Sequence, residues 1–161
     1  MFSKKRFFLP VLLAVVSIAF AACTKLDVFE KNTSVPNYLW QQNWKPDYTF
    51  DITDTATSYK VYIVLRHTDA YRYNNIWLNI GTRFPSDSAF KYQRFELALG
   101  SDAKGWEGTG MDDIWEVRKL ITNGPVKFAK TGSYQINISQ LMRENPLPNV
   151  MSVGVRVERV R

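Results

Sequence analysis

The chain has 161 residues, 45% of them hydrophobic and 22% charged, with a formal net charge of +6. That is room for one domain with a short appendage, and the balance excludes a disordered tail and a polytopic membrane protein. A single Cys and a single His exclude an internal disulfide and a His/Cys-rich zinc site.

Lys4, Lys5 and Arg6 open the chain, residues 7–20 form an apolar run broken by Pro10, and Ala21 and Ala22 lead into Cys23. As a helix that run covers about 21 Å, short of the roughly 30 Å of a bilayer core, so it reads as a signal-peptide segment and not a permanent span. Phe20-Ala21-Ala22-Cys23 resembles the bacterial lipobox. Small residues admit the lipoprotein signal peptidase, and the thiol is the nucleophile that takes the diacylglyceryl group before cleavage. The alternative is an ordinary signal peptide cut after Ala22, with Cys23 an unmodified thiol. Lipid on Cys23 gives a firm membrane anchor, since each buried CH₂ contributes about 0.8 kcal/mol. Removing residues 1–22 takes three positive charges and no negative ones, so +6 falls to +3. With no run of like charges left, a nucleic-acid partner is not expected.

The expected organisation is a signal peptide at 1–22, a lipidated tether and irregular lead-in at 23–45, and a β-sandwich domain at 46–161. A short first strand is predicted at 24–31, a turn at 32–36, and an aromatic group at Tyr38, Leu39, Trp40 and Trp44. Beyond Pro46 the period is two. Tyr48, Phe50 and Ile52 alternate with polar residues; Val61, Ile63 and Leu65 share a face; Ile76, Leu78 and Ile80 oppose Trp77 and Asn79; Phe95, Leu97 and Leu99 follow. Residues 100–110 read as a glycine-bearing loop, 114–121 as a strand, 126–129 as a short edge piece and 133–138 as a strand. Ser139 reads as the N-cap of one helical turn at 140–144, ended before Pro146. The last strand is 150–160, with Val153, Val155 and Val157 inward. This predicts an all-β antiparallel sandwich, jelly-roll or Ig-like, of about seven to nine strands with one short helical turn.

Catalytic motifs are absent from the sequence: no GxGxxG, P-loop, HExxH or GxSxG, so no catalytic residue, cofactor or metal is expected. His67 reads as a surface histidine at a strand end. Asp102, Glu107, Asp112 and Asp113 lie among glycines, but their spacing matches no calcium loop, and a solvated loop is expected. Trp77 and Trp106 are the candidate partner- or glycan-binding residues, Trp77 because it opposes the apolar face of its strand and Trp106 because it falls in the glycine-bearing loop.

Several stretches are similar to the gliding-motility lipoprotein GldH family of Bacteroidota: Tyr73-Asn74-Asn75-Ile76-Trp77-Leu78, the segment from Gly105-Trp106 to Ile114-Trp115, Met142-Arg143 to Pro146-Leu147-Pro148, and above all Val150-Met151-Ser152-Val153-Gly154-Val155-Arg156-Val157-Glu158. The resemblance covers essentially the whole chain. It implies a non-enzymatic envelope lipoprotein that supports gliding and the linked type IX secretion apparatus by binding their protein components. Thr24-Lys25-Leu26-Asp27 lacks the dense acidic run that sends lipoproteins of this phylum to the cell surface, which implies a periplasm-facing position. The phylum's O-glycosylation tripeptide is matched at Asp54-Thr55-Ala56 and Asp87-Ser88-Ala89, making Thr55 and Ser88 candidate sites. The alternative function is a glycan-binding envelope lipoprotein with Trp77 or Trp106 stacking on sugar.

Overall fold

The computed structural model describes residues 28–160; the expected signal peptide, Cys23 and the start of the expected first strand lie outside the described residues. The strands are β1 (Val28–Ser34), β2 (Leu39–Trp40), β3 (Asp47–Ile52), β4 (Tyr59–Thr68), β5 (Asn75–Arg83), β6 (Lys91–Ala98), β7 (Gly100–Ser101), β8 (Gly105–Trp106), β9 (Thr109–Met111), β10 (Ile114–Leu120), β11 (Gly132–Gln140), β12 (Leu147–Pro148) and β13 (Val150–Arg159). Nine of them form two antiparallel sheets, β1-β13-β4-β10-β9 and β3-β11-β5-β6. The expected all-β sandwich is therefore the observed architecture.

Alternation decides which side chains meet between the sheets. Val61, Ile63 and Leu65 of β4 face inward with Val153, Val155 and Val157 of β13; Ile76, Leu78 and Ile80 of β5 face them with Ile136 and Ile138 of β11, all buried. Tyr48 joins this core and donates its hydroxyl proton to the carbonyl of Val153 at 2.6 Å, tying one sheet to the other. Its burial pushes the phenol up to about 12.

Register divides the sandwich into two ends. Val28 lies opposite Glu158, Glu158 opposite Lys60, and Ile52 opposite Gly132. One end, called here the near end, therefore gathers the start of β1, the end of β13 and the crossings 53–58, 84–90 and 121–131. The far end gathers 35–46, 69–74, 99–113 and 141–149.

The far end departs from the expected local structure. The turn expected at 32–36 is displaced, because β1 runs on to Ser34 in unbroken pairing with β13. A single 3-10 turn follows at Pro36–Tyr38, where Asn37 and Tyr38 have positive φ. The helical turn expected at 140–144 does not form. Gln140 ends β11, and its side chain is buried; it accepts the Met142 N–H at 2.6 Å and donates to the carbonyls of Trp40 and Glu144. The Leu141 N–H goes to the carbonyl of Trp77 at 2.8 Å. With those groups bonded elsewhere, a helical turn has nothing to close on. The stretch 100–110, expected as plain loop, carries the β7–β8 ribbon and the start of β9. The expected edge piece at 126–129 is reduced to one bridge, Val126 with Tyr59.

Candidate functional site

The outer face of the five-stranded sheet is closed by charge pairing. Glu30 bridges Arg156 at 2.7 Å and Arg118 at 3.7 Å, Arg156 also meets Glu158 at 3.1 Å, and Glu116 takes Arg66 at 2.6 Å and Arg118 at 2.7 Å. Three arginines and three glutamates thus neutralise one another across β1, β13, β4 and β10. Beneath them Val64, on the outward phase of β4, is only 1% exposed, sheltered by the long side chains around it. Partial burial raises the Glu30 pKa, but hydrogen bonds from Arg156 and Asn32 and the charge of Arg118 outweigh it and hold the carboxyl below its usual range. Gly154 is what lets β1 lie so close: a Cβ there would sit 1.9 Å from Asn32 Oδ1 and 2.5 Å from the Lys31 carbonyl.

The outer face of the four-stranded sheet is different. Ile76 and Leu78 point inward, so Trp77 points out and is 40% exposed. The chain leaving β11 crosses the far end of β5, held by the Leu141 N–H bond to Trp77 and by the Trp77 N–H directed at Met142 Sδ, 3.3 Å away. This lays exposed Leu141 and Arg143 beside Trp77, with Arg94 of β6 on the other side. A hollow of about 540 Å³ results, lined by Trp77, Leu141, Arg94, Arg143, Tyr73, Asn75 and Met142. Its floor is fixed: Tyr73 donates to Glu144 at 2.9 Å, and Asn75 to Glu96 at 2.6 Å. Among the described residues neither Arg94 nor Arg143 meets an acid within ion-pair distance. Two free guanidiniums beside an indole and a leucine can take a carboxylate and an apolar group together. Toward the near end of this face Tyr92 is 51% exposed and its hydroxyl accepts from Asn137 at 3.3 Å. Gly81 makes this possible, since a Cβ there would stand 2.7 Å from both Asn137 Oδ1 and the Tyr92 ring.

Trp106 does not join Trp77. It is half-buried at the far end, with its ring 4.6 Å from the ring of His67 and 6.2 Å from that of Tyr71. His67, read from the sequence as a surface residue, is fully buried. The correction has a simple cause: residue 67 continues the inward series 61, 63, 65, and Trp106 and Tyr71 close over it. Thr68 O lies 2.8 Å from His67 Nδ1, which as the protonated nitrogen donates to it. Burial lowers the imidazole pKa despite that bond and keeps the ring neutral. The inward phase was legible in the sequence; the cover was not.

Asp102, Glu107, Asp112 and Asp113 are all exposed, and Glu107 pairs with Lys119. They do not converge: among the described residues no three metal-ligating side chains gather. Thr55 is half-buried in the 53–58 crossing and Ser88 exposed in the 84–90 crossing. Asp54, beside Thr55, accepts from Thr57 Oγ1 and the Ala56 N–H, both at 2.9 Å, and meets Arg159. Those bonds, Thr57's foremost, hold its carboxyl below the usual range. No helix among the described residues is long and apolar enough to cross a membrane.

Comparison with solved structures finds a carbohydrate-binding module, CBM28, specific for non-crystalline cellulose (TM-score 0.40, 11% identity, 82% of this chain and 72% of that one). It also finds the VP2 subviral particle protein of infectious bursal disease virus (TM-score 0.36, 14% identity, 83% and 32%). Among curated proteins the chain is 28% identical over 149 residues to the gliding motility lipoprotein GldH homolog of Christiangramia forsetii, covering 88% of this chain and 90% of the relative. It is 27% identical over 155 residues to the gliding motility lipoprotein GldH of Flavobacterium johnsoniae, covering 92% and 94%. The family model described as GldH lipoprotein matches residues 27–157, nearly all of the sandwich, and the chain therefore belongs to the GldH lipoprotein family.

Proposed function

We propose that this protein is a lipid-anchored, non-enzymatic accessory factor of gliding motility and of the linked type IX secretion apparatus. It is held by lipid on Cys23, faces the periplasm, and works by binding protein components of that machinery. The membership in a family named for gliding supports the setting. The observation that carries the binding mode is the hollow around Trp77, where the indole, Leu141 and two arginines that meet no acid among the described residues are exposed together on the outer side of the four-stranded sheet. Such an aromatic and arginine-rich patch suits a protein partner. Separation of Trp106 from Trp77 removes the joint stacking platform that a sugar reading based on those two would use.

The test is a deletion strain complemented with Trp77→Ala or with Arg94→Glu and Arg143→Glu together, scored for colony spreading, type IX cargo secretion and pull-down of the tagged protein. Spreading and secretion are lost while protein level and membrane fractionation stay normal. Full spreading with either variant overturns the assignment of this hollow. Release of Cys23→Ser from the membrane fraction checks the anchor. Intact mass of the envelope protein checks Thr55 and Ser88 as proposed O-glycosylation sites, an unmodified mass removing both. A second reading, glycan binding, is favoured by one observation: Trp77 and Tyr92 are exposed on the same outer face. Retention of the protein on immobilised envelope polysaccharide, lost on Tyr92→Ala, distinguishes it.

A further inference from the structure

A cleft of about 570 Å³ enters the sandwich between the sheets at the near end. Phe50, Val61, Ile80, Phe95, Phe128 and Ile136 form its walls. It exists because the sheets are unequally long at that edge. β9 is three residues long and pairs with β10 only from Ile114 to Glu116, at the far end, so no strand faces the near half of β6. Lys91 and Gln93 share the inward phase of Phe95 and Leu97 and are nevertheless exposed. The volume lies within the roughly 300–1,000 Å³ of small-ligand pockets, which are characteristically apolar with a few polar groups to orient the ligand.

The mouth supplies those groups. Lys91 and Lys127 line the cleft, Lys130 follows in the same crossing, and Asp87 is the single acid in 84–90 and 121–131. Lys91 is 3.0 Å from Asp87 and stands over the ring of Phe84, which is itself 47% exposed. The near end is also where the chain enters the fold. The five residue steps from Cys23 to Val28 span at most about 17 Å, so lipid on Cys23, the reading on which this placement rests, holds the mouth at the bilayer surface.

We propose that this cleft binds one long-chain fatty acid, its acyl chain between the sheets and its carboxylate between Lys91 and Lys127. The volume suits one chain and not a two-chain phospholipid, and the basic rim selects an acidic head. The processed, lipidated full-length protein in phosphatidylethanolamine vesicles is irradiated with hexadecanoic acid carrying a terminal diazirine, and the labelled peptides are mapped. Label falls on the inner walls, at Phe50, Val61, Ile80 and Ile136, because the diazirine sits at the end of the chain remote from the carboxylate. Ala129→Trp, which narrows the mouth from an exposed position, and Lys91→Glu with Lys127→Glu, which repels the head, each lower the yield at least about tenfold with the melting temperature unchanged. Label scattered over the surface, or unmoved by both variants, overturns the proposal. Undiminished labelling by the methyl ester of the probe overturns the acidic head. Label in the cleft of the Cys23→Ser chain alone assigns the cleft to the protein's own anchor and overturns a separate lipid. A Cys23→Ser chain that stays in the membrane refutes the anchor reading, while cleft labelling remains the measure of fatty-acid binding.

Discussion

The two outer faces of the sandwich are built from the same alternating pattern and end in opposite states. On the five-stranded sheet, Glu30, Arg66, Glu116, Arg118, Arg156 and Glu158 satisfy one another. On the four-stranded sheet, Trp77, Tyr92, Arg94 and Leu141 are left open to solvent. A charged face is therefore not a sticky face: paired charges over a covered valine offer a partner little, whereas unpaired guanidiniums beside an exposed indole offer both charge and apolar area. In the proposed function the closed face contributes to stability and the open face to recognition, and substitutions separate the two.

The largest effect is expected from Gly154→Ala on the closed face. Its Cβ would collide with Asn32 and with the Lys31 backbone, so β1 must shift; a loss of about 2–4 kcal/mol is expected, read as a lower denaturant midpoint.

Acid separates the core beneath the faces from the pairing on them. His67 is the only histidine, and its folded pKa is depressed by burial, below the roughly 6.5 of an unfolded histidine. The unfolded state therefore binds the proton more readily. Stability is full above about pH 6.5 and falls as pH drops below it, by at most about 1.4 kcal/mol per pH unit. His67→Phe should flatten the dependence of melting temperature on pH between about 7.5 and 5.5.

For Glu30 the folded pKa is also depressed, and here the charged form is the stabilised one. Its contribution is present above the ordinary carboxylate pKa and is lost as pH falls through the lower folded value, well outside the histidine window. Glu30→Gln should cost about 1 kcal/mol at neutral pH and reduce the acid sensitivity measured below about pH 4.5. The smallest effect on stability is expected on the open face: Trp77→Ala and Arg94→Glu should each leave unfolding within about 0.5 kcal/mol of wild type while abolishing partner capture. A large loss of stability from Trp77→Ala would show that the open face is structural after all.

Much of this arrangement could be read along the chain, because strand alternation is local. Phe50, Ile63, Leu78, Ile136 and Val155 declare their inward side by their neighbours two residues away, and Trp77 declares its outward side the same way. The antiparallel sandwich, the likeness of the segment before Cys23 to a lipobox and the family resemblance needed nothing else. What alternation does not contain is which strand lies beside which. Glu30 and Arg156 are far apart in the chain and meet only because β1 adds to the edge of β13. His67 is buried because Trp106 and Tyr71 close over it, and the expected helix after Ser139 is lost to side-chain bonds from Gln140, one of which requires Trp40 nearby. The near-end cleft depends on β9 stopping after three residues at the far end. Each of these rests on contacts between distant segments, whose energy is decided by packing and by pairing across sheets and not by the preferences of the residues taken singly. Local alternation along the chain sets the kind of fold and its two-sidedness; packing between distant segments sets which outer face is closed, which is open, and where the sandwich is hollow.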